Sequence, residues 1–491
     1  MSTITVYIDN KKNEYVFRSG CTLLDLLRAK GYEISAPCGG NGLCGKCLVL
    51  FRTSDGEPVK VSACKTVLND DCEVYLDSDL SAISWNTAEK RIRFERGRTG
   101  CGAAVDLGTT TVAVSLYDLH DGKEIGSLSY WNAQKSFGAD VISRIGHCME
   151  NPNGLQTLSD AIRGQILSML KELCSRNGLS LTDIREGFLA GNTVMEHIFA
   201  GISPNSIASA PFIPASYFDK KERFVLGGIP FFLSPCIAGY VGGDITAGIF
   251  SSEMYRADKR ILFIDVGTNG EIVLGSSKGL VSCAVASGPA FEGAGISCGM
   301  PAADGAIHSV TLNDNRISFE VIGGGEAKGL CGSGLLDLAA CLLEKGILDE
   351  SGCLENDDGE NVYYLTDSVY LTQHDVRQLQ LAKAAVAAGI ARLLETENIG
   401  YKDIDALYLS GGFGTRLKGS SAVRIGMLPS ELSGKIRPLG NTSLSGAAAA
   451  LLNPSDREIL NEIQTKCRYL ELSSDKVFSD RFIDEMFFPE D

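Results

Sequence analysis

The apolar and polar positions alternate with period two at the start of the chain. Ile4–Ile8 and Glu14–Arg18 therefore read as strands, Thr22–Lys30 as a helix, and Gly45–Arg52 as a strand after a glycine-rich loop. That order predicts a small β-grasp domain over residues 1–80. Further on, CGAAVDLGTTTVAVSLYDL (101–119) reads as β-run, tight turn, β-run, and RILFIDVGTNGEIVLG (260–275) repeats the frame. Ala406–Leu409 is another β-run, ending in glycines. The segments GNTVMEH, GGDITAGIF and CGSGLLDLAACLL read as helices; Met195, Ile198 and Phe199 belong to a core, and His197 is expected to be a hydrogen-bonded structural residue rather than a metal ligand. Between the two regions, residues 81–99 gather Lys90, Arg91, Arg93, Arg96 and Arg98 and read as a connector. The divisions are then 1–80, 81–99, 100–258 and 259–491.

With 491 residues the chain is too long for one ordinary core. A net charge of −16 argues against nucleic acid or an anionic membrane as the main partner, because phosphate binding needs a basic face. The longest apolar stretches, Ala384–Ala391 and Ala447–Leu452, are far short of a membrane span, and the N-terminus has no basic start and apolar run. A cytoplasmic location is expected. In that compartment the 16 cysteines do not read as a disulfide framework, and most are expected to be small buried hydrophobes.

Four cysteines stand apart. Cys38, Cys44 and Cys47 are spaced C-x5-C-x2-C in a glycine-rich loop, and Cys64 follows in VSACKTV. Three thiolates in ten residues with a fourth from a distance can surround two irons, and the glycines let the backbone wrap closely. A zinc site would more often show paired C-x2-C units. Cys72 competes with Cys64 as fourth ligand. The pattern resembles plant-type [2Fe–2S] ferredoxins, with one extra residue in the first gap. Gly40, Gly42, Gly45 and Lys46 mimic nucleotide motifs, but Cys47 stands where Ser or Thr would, and no strand–loop–helix context surrounds them.

The two repeated turns carry a different chemistry. In Asp106-Leu-Gly108-Thr109-Thr110 and Asp265-Val-Gly267-Thr268-Asn269 a carboxylate precedes a glycine and small hydroxyl or amide residues. The glycine lets backbone N–H groups press against phosphate oxygens, the hydroxyls add donors, and the aspartate can hold Mg²⁺ through water. Ser410-Gly411-Gly412-Phe413-Gly414 offers a flat backbone surface for a nucleoside, and Gly332-Ser333-Gly334 opens a helix whose N-terminus favours anions.

Two such turns followed by a Gly–Gly element resemble the superfamily of sugar and acetate kinases, heat-shock chaperones and actin. The resemblance implies a duplicated ribonuclease-H-like ATPase holding ATP and Mg²⁺ between its halves, with Asp244 positioning magnesium and the attacking water beside Asp265. The expected class is α+β and α/β, a β-grasp ferredoxin domain followed by this ATPase.

That combination, with WNAQKSFGADVISRI (131–145), AGNTVMEHIFAG (190–201) and GPAFEGAGISCGMPAADGAI (288–307), resembles the reductive activators of corrinoid proteins. The family's better-known members carry a longer middle region than the short connector here. The resemblance implies one-electron reduction of Co(II) to Co(I) in a corrinoid partner of a methyltransferase system. A ferredoxin or flavoprotein would be the electron donor, and a homodimer is left open. Alternatives are an activator of another low-potential metalloenzyme and a metabolite kinase with a regulatory ferredoxin domain. Dehydratase activators bridge a cluster with ATPase-domain cysteines, whereas Cys283, Cys298 and Cys331 here are lone.

Overall fold

The computed structural model describes residues 2–8, 11–30, 32, 47–53, 56, 58–76, 93–138, 140–219, 222–267, 269–354, 361–414 and 417–490. The N-terminal unit contains β1 (Ser2–Ile8), β2 (Lys11–Phe17), β3 (Cys21–Thr22), α1 (Leu23–Ala29), β4 (Leu48–Thr53), β5 (Val59–Ser62), β6 (Val67–Leu68) and β7 (Cys72–Leu76). Its five-stranded sheet has the order β2-β1-β7-β4-β5, with β1 and β7 parallel at the centre and every other pairing antiparallel. Ile4, Val6, Leu23, Leu24, Leu27, Val49 and Val74 form its core, so alternate strand residues meet the apolar stripe of α1. This is the β-grasp arrangement expected from the alternation.

The first half of the larger unit runs β8 (Cys101–Leu107), β9 (Thr111–Asp118), β10 (Glu124–Trp131), α2 (Val141–Glu150), α3 (Gly154–Arg176), β11 (Ile184–Gly191), α4 (Thr193–Ala200), β12 (Phe224–Leu226), β13 (Ile229–Leu233) and α5 (Gly243–Ser252). The second half begins with β14 (Ile261–Val266), β15 (Gly270–Ser276) and β16 (Gly279–Val285), then β17 (Ala306–Asn313), β18 (Arg316–Val321), β19 (Gly329–Leu330) and α6 (Gly332–Glu344). It continues with β20 (Val362–Tyr364), β21 (Tyr370–Thr372), α7 (Gln373–Thr396), β22 (Ala406–Ser410), α8 (Gly411–Gly414), α9 (Gly419–Arg424), β23 (Ile436–Gly440), α10 (Thr442–Leu452), α11 (Arg457–Lys466), β24 (Cys467–Tyr469) and α12 (Lys476–Asp484).

The duplication is written in the strand orders, β10-β9-β8-β11-β13 in one half and β16-β15-β14-β22-β23 in the other. Each has three antiparallel strands followed by two added in parallel, and each carries one extra edge strand, β12 or β24. Each half has its own core, and a third core lies between them, built from Ala104, Phe188, Ala247, Phe263, Ala447 and Leu451 among others. Helices α5 and α10 pack at that junction so closely that a Cβ at Gly446 would lie 2.2 Å from the Ala247 carbonyl oxygen.

Part of the stretch read as a connector is held against the larger unit. Glu95 donates its N–H to Leu452 O, and Arg98 donates to Leu451 O at 2.7 Å and to Glu186 Oε1 at 2.6 Å. Among the described residues no helix is long and apolar enough to cross a membrane.

Candidate functional site

Asp106 and Asp265 are each the next-to-last residue of the first strand in their half, so the duplicated fold delivers both carboxylates to the same edge. One helix start ties them together. Asn441 Nδ2 and Ser443 Oγ donate to Asp106 at 2.7 and 2.8 Å. Ser410 Oγ donates to Asp265 at 2.9 Å and lies 2.5 Å from Thr442 Oγ1. Asp244 sits in the first turn of α5, where its Oδ1 accepts from the Ile245 N–H at 2.8 Å. Glu271 faces Asp265 across the β14–β15 hairpin.

These carboxylates are held above their ordinary range. Burial raises Asp244 to about 8, with the negative charges of Asp265 and Asp106 adding to it. Burial likewise raises Asp265 to about 6, against the opposing hydrogen bond from Ser410. Asp106 is raised by burial and partly relieved by Asn441 and Ser443, while Glu271 is pushed well up by burial and then by Asp244 and Asp265. Desolvated like charges without a compensating cation are the environment that a bound metal ion relieves. Among the described residues, no three His, Cys, Asp or Glu side chains converge closely enough to chelate a metal directly. The donor set therefore fits an ion that keeps its waters and borrows phosphate oxygens, as Mg²⁺ does.

The turns after the two aspartates approach each other. Thr110 Oγ1, from the first half, lies 3.2 Å from Glu292 Oε2, from the second. In the second turn Gly267 N–H donates to Asn269 O at 2.8 Å, and Ser287 Oγ donates to Gly267 O at 3.0 Å. Thr268 lies outside the described residues. The Gly–Gly element begins where β22 ends: Gly411 has φ +81°, and a Cβ there would lie 2.5 Å from Asp265 Oδ1. Only glycine fits this position, which joins the expected nucleoside surface, Ser410–Gly414, to the second carboxylate.

Gly332-Ser333-Gly334 forms the closely packed start of α6. The Ser333 hydroxyl donates to His308 O at 2.8 Å, and Cβ atoms at Gly332 and Gly334 would meet the carbonyls of Phe291 and Ile307. These contacts pack the start of α6. His197 is the structural residue expected: its Nδ1 is 2.7 Å from Thr193 O, and its Nε2 accepts the Ser216 N–H at 3.1 Å.

In the N-terminal unit, Cys38 and Cys44 lie outside the described residues. Cys47 and Cys64 Sγ atoms are 3.2 Å apart, and the Cys64 N–H donates to Cys47 Sγ at 3.4 Å. Two sulfurs ~2.3 Å from one tetrahedral metal would sit about 3.8 Å apart, so the pair suits a shared iron after a small adjustment. Cys72 lies in β7 beside Cys21, where burial raises its thiol to about 11 and disfavours the thiolate that a cluster needs. Cys283 and Cys331 are buried in the core of the second half, where they cannot bridge a cluster between subunits.

Sequence reasoning missed Asn441, Ser443, Glu196, Glu271 and Glu292. Glu196 is fully buried under the start of α5: its Oε1 accepts the Gly191 N–H at 3.1 Å, its Oε2 has no partner among the described residues, and burial raises it well up. Glu271 was visible as the residue after the second turn, and Glu292 lies in GPAFEG, but neither had a spacing that pointed to a role.

The fold and site define an actin-like nucleotide-binding unit joined to a β-grasp domain with clustered cysteines. Residues 6–69 match the family model for a 2Fe-2S iron-sulfur cluster binding domain, 101–257 the RACo middle region, and 259–491 the C-terminal domain of RACo, the ASKHA domain. The chain belongs to the RACo family. The middle-region match covers the stretch read above as the first ATPase half, so that region is present as half of the duplicated fold.

The corrinoid activation enzyme RamQ of Eubacterium limosum is 27% identical over 565 residues, covering 94% of this chain and 95% of that one. The [Co(II) methylated amine-specific corrinoid protein] reductase of Methanosarcina barkeri is 25% identical over 427 residues, 78% of this chain and 76% of that one. Among solved structures, a reductive activator for corrinoid, iron-sulfur protein superposes with a TM-score of 0.73 at 29% identity, over 100% of this chain and 99% of that one.

Proposed function

We propose that this protein is an ATP-dependent reductive activator that returns a corrinoid partner of a methyltransferase system from Co(II) to Co(I). The observation that carries the reading is the convergence of Asp106, Asp244 and Asp265 from two duplicated halves, in a chain whose other domain brings Cys47 and Cys64 together. In this reading Asp106 and Asp265 hold Mg²⁺ through water, the first-turn residues Gly108, Thr109 and Thr110 and the second-turn residues Gly267, Thr268 and Asn269 receive the phosphates, and Ser410–Gly414 faces the nucleoside. Asp244, in the first turn of α5 and ionised once a bound cation offsets its acidic neighbours, accepts the proton of the attacking water. Cys38, Cys44, Cys47 and Cys64 would hold a [2Fe–2S] cluster, which supplies one electron near about −400 mV.

Cobalt is harder to reduce than such a centre. Each ~59 mV is a tenfold change in a one-electron equilibrium, so preferential binding of the reduced partner by the nucleotide-loaded protein can move the balance. Nucleotide and partner affinity are then linked through closure of the two halves. A ferredoxin or flavoprotein of the cytoplasm reloads the centre.

The reading is tested by anaerobic ATP hydrolysis with corrinoid protein poised as Co(II) or as methyl-Co(III). Turnover should rise with the Co(II) form alone. Equal rates with both, accompanied by phosphate transfer to a metabolite, would leave the kinase alternative standing instead.

A further inference from the structure

The first phosphate turn is held from behind by side chains that the nucleotide reading has not used. Three successive carbonyls are occupied: Gly108 O accepts from Asn132 Nδ2 at 2.9 Å, Thr109 O from Arg144 Nη2 at 2.7 Å, and Thr110 O from the Asn132 N–H at 2.9 Å. The Thr109 hydroxyl accepts from Asn192 Nδ2 at 2.9 Å. In contrast, the N–H groups of Thr109 and Thr110 have no acceptor among the described residues. A trans peptide is planar, with its C=O and N–H pointing in opposite directions. Anchoring Gly108 O and Thr109 O therefore aims the N–H groups of Thr109 and Thr110 the other way, and these are the two left without acceptors.

Arg144 is an unusual residue to find in such a place. It is fully buried, and its remaining hydrogen bonds go to Gly138 O at 3.1 Å, Gln134 Oε1 at 3.2 Å and Met195 Sδ at 3.0 Å. Among the described residues its guanidinium forms no ion pair; burial lowers it to about 10 against the charge of Asp140, the one anion acting on it, and it stays charged near neutrality. A buried cation without an ion-pair partner is costly, and a phosphate brought near would add to the weak support from Asp140. Its planar fork also reaches Gly138, Gln134, Met195 and Thr109 at once, which a lysine cannot do.

We propose that Arg144 and Asn132 are positioning residues that preset the first turn as an anion nest and bring a buried positive charge behind the nucleotide's phosphates. This rests on the nucleotide reading above and assigns the segment 131–145 a task in it. Neither residue hydrogen-bonds to Ser410–Gly414, the surface proposed for the nucleoside, among the described residues, so their loss should weaken phosphate recognition and spare the rest of the ligand.

The test is calorimetric titration of the full chain, cluster loaded, with MgATP and with adenosine. Arg144→Met and Asn132→Ala should each weaken MgATP by roughly tenfold or more, the scale of a charge-assisted or orienting hydrogen bond, with adenosine affinity within about twofold of wild type. Arg144→Lys, which keeps the charge and loses the fork, should recover part of the MgATP loss. Should Arg144→Met fail to fold, Asn132→Ala and Arg144→Lys carry the comparison. Folded variants that keep the wild-type ratio of MgATP to adenosine affinity, or that lose both ligands equally, overturn the proposal. A wild-type chain that binds adenosine but gains nothing from the phosphates overturns the nucleotide reading itself.

Discussion

Replacing Asp244 by Asn separates the electrostatics of the cleft from its shape. The amide keeps an oxygen to accept the Ile245 N–H, so α5 should start unchanged. What disappears is a carboxylate whose pKa lies at about 8 instead of 3.8. Because the folded-state value is raised, the folded protein binds more protons than the unfolded chain between those limits, and the contribution of this group to stability falls as pH climbs through about 8. At ~1.4 kcal/mol per pH unit the ceiling on that loss at pH 8 is roughly 5 kcal/mol. Asp244 is only half-buried, so solvent screening reduces the expected gain on neutralisation to about 2 kcal/mol. For a half of this size that is a rise of roughly 4–8 °C in the first unfolding transition. Thermal unfolding of the nucleotide-free protein at pH 8 and pH 5 reads it directly, with the gap largest at pH 8 and closing towards pH 5. ATP turnover of the same variant should fall by ~100-fold or more, as for loss of a general base. A variant less stable than wild type at pH 8, or a gap independent of pH, would refute the electrostatic account of this cleft.

Cys64→Ser should abolish the visible absorbance of the anaerobically reconstituted cluster, and Cys72→Ser should keep it; the opposite result would make Cys72 the ligand. Ser443→Ala removes one of the two donors that favour charged Asp106. The acidic limb of the pH–rate profile for ATP hydrolysis should then move to higher pH by up to roughly one unit, and an unmoved limb would detach Asp106 from turnover. Glu186 accepts from both Arg98 and Arg457, at 2.6 and 2.8 Å, so Glu186→Ala strands two cations and should cost about 3 kcal/mol. Differential scanning calorimetry should show this in the ATPase unit, with the cluster spectrum unchanged.

The parts of the fold legible in the sequence were those with local signatures. Alternation over Ile4–Ile8 and Glu14–Arg18 marked the β-grasp sheet, and two Asp-x-Gly turns between β-runs marked a duplication that the matching strand orders bear out. The closure of the site was not legible. Asn441 and Ser443 reach Asp106 from more than 300 positions away along the chain, because parallel strands need crossovers that bring distant segments to one edge. Arg144 and Asn132 sat in a segment noted only for its likeness to a family, since no spacing rule reveals a side chain that holds a carbonyl from behind. The close packing of Gly332 and Gly334 on Phe291 and Ile307 was not legible either, since glycine beside a helix N-terminus can serve packing as well as anion binding.

The central claim is that nucleotide turnover and electron delivery belong to one act on a corrinoid partner. Under anaerobic conditions the reduced protein is mixed with a Co(II) corrinoid protein, with and without MgATP, and the Co(I) absorbance is followed. The account predicts Co(I) in the presence of MgATP, little in its absence, and none with either Asp265→Ala or Cys44→Ala, the first retaining its cluster spectrum and the second its basal ATP hydrolysis. Co(I) formed equally well without nucleotide, or by the Asp265→Ala protein, would contradict it.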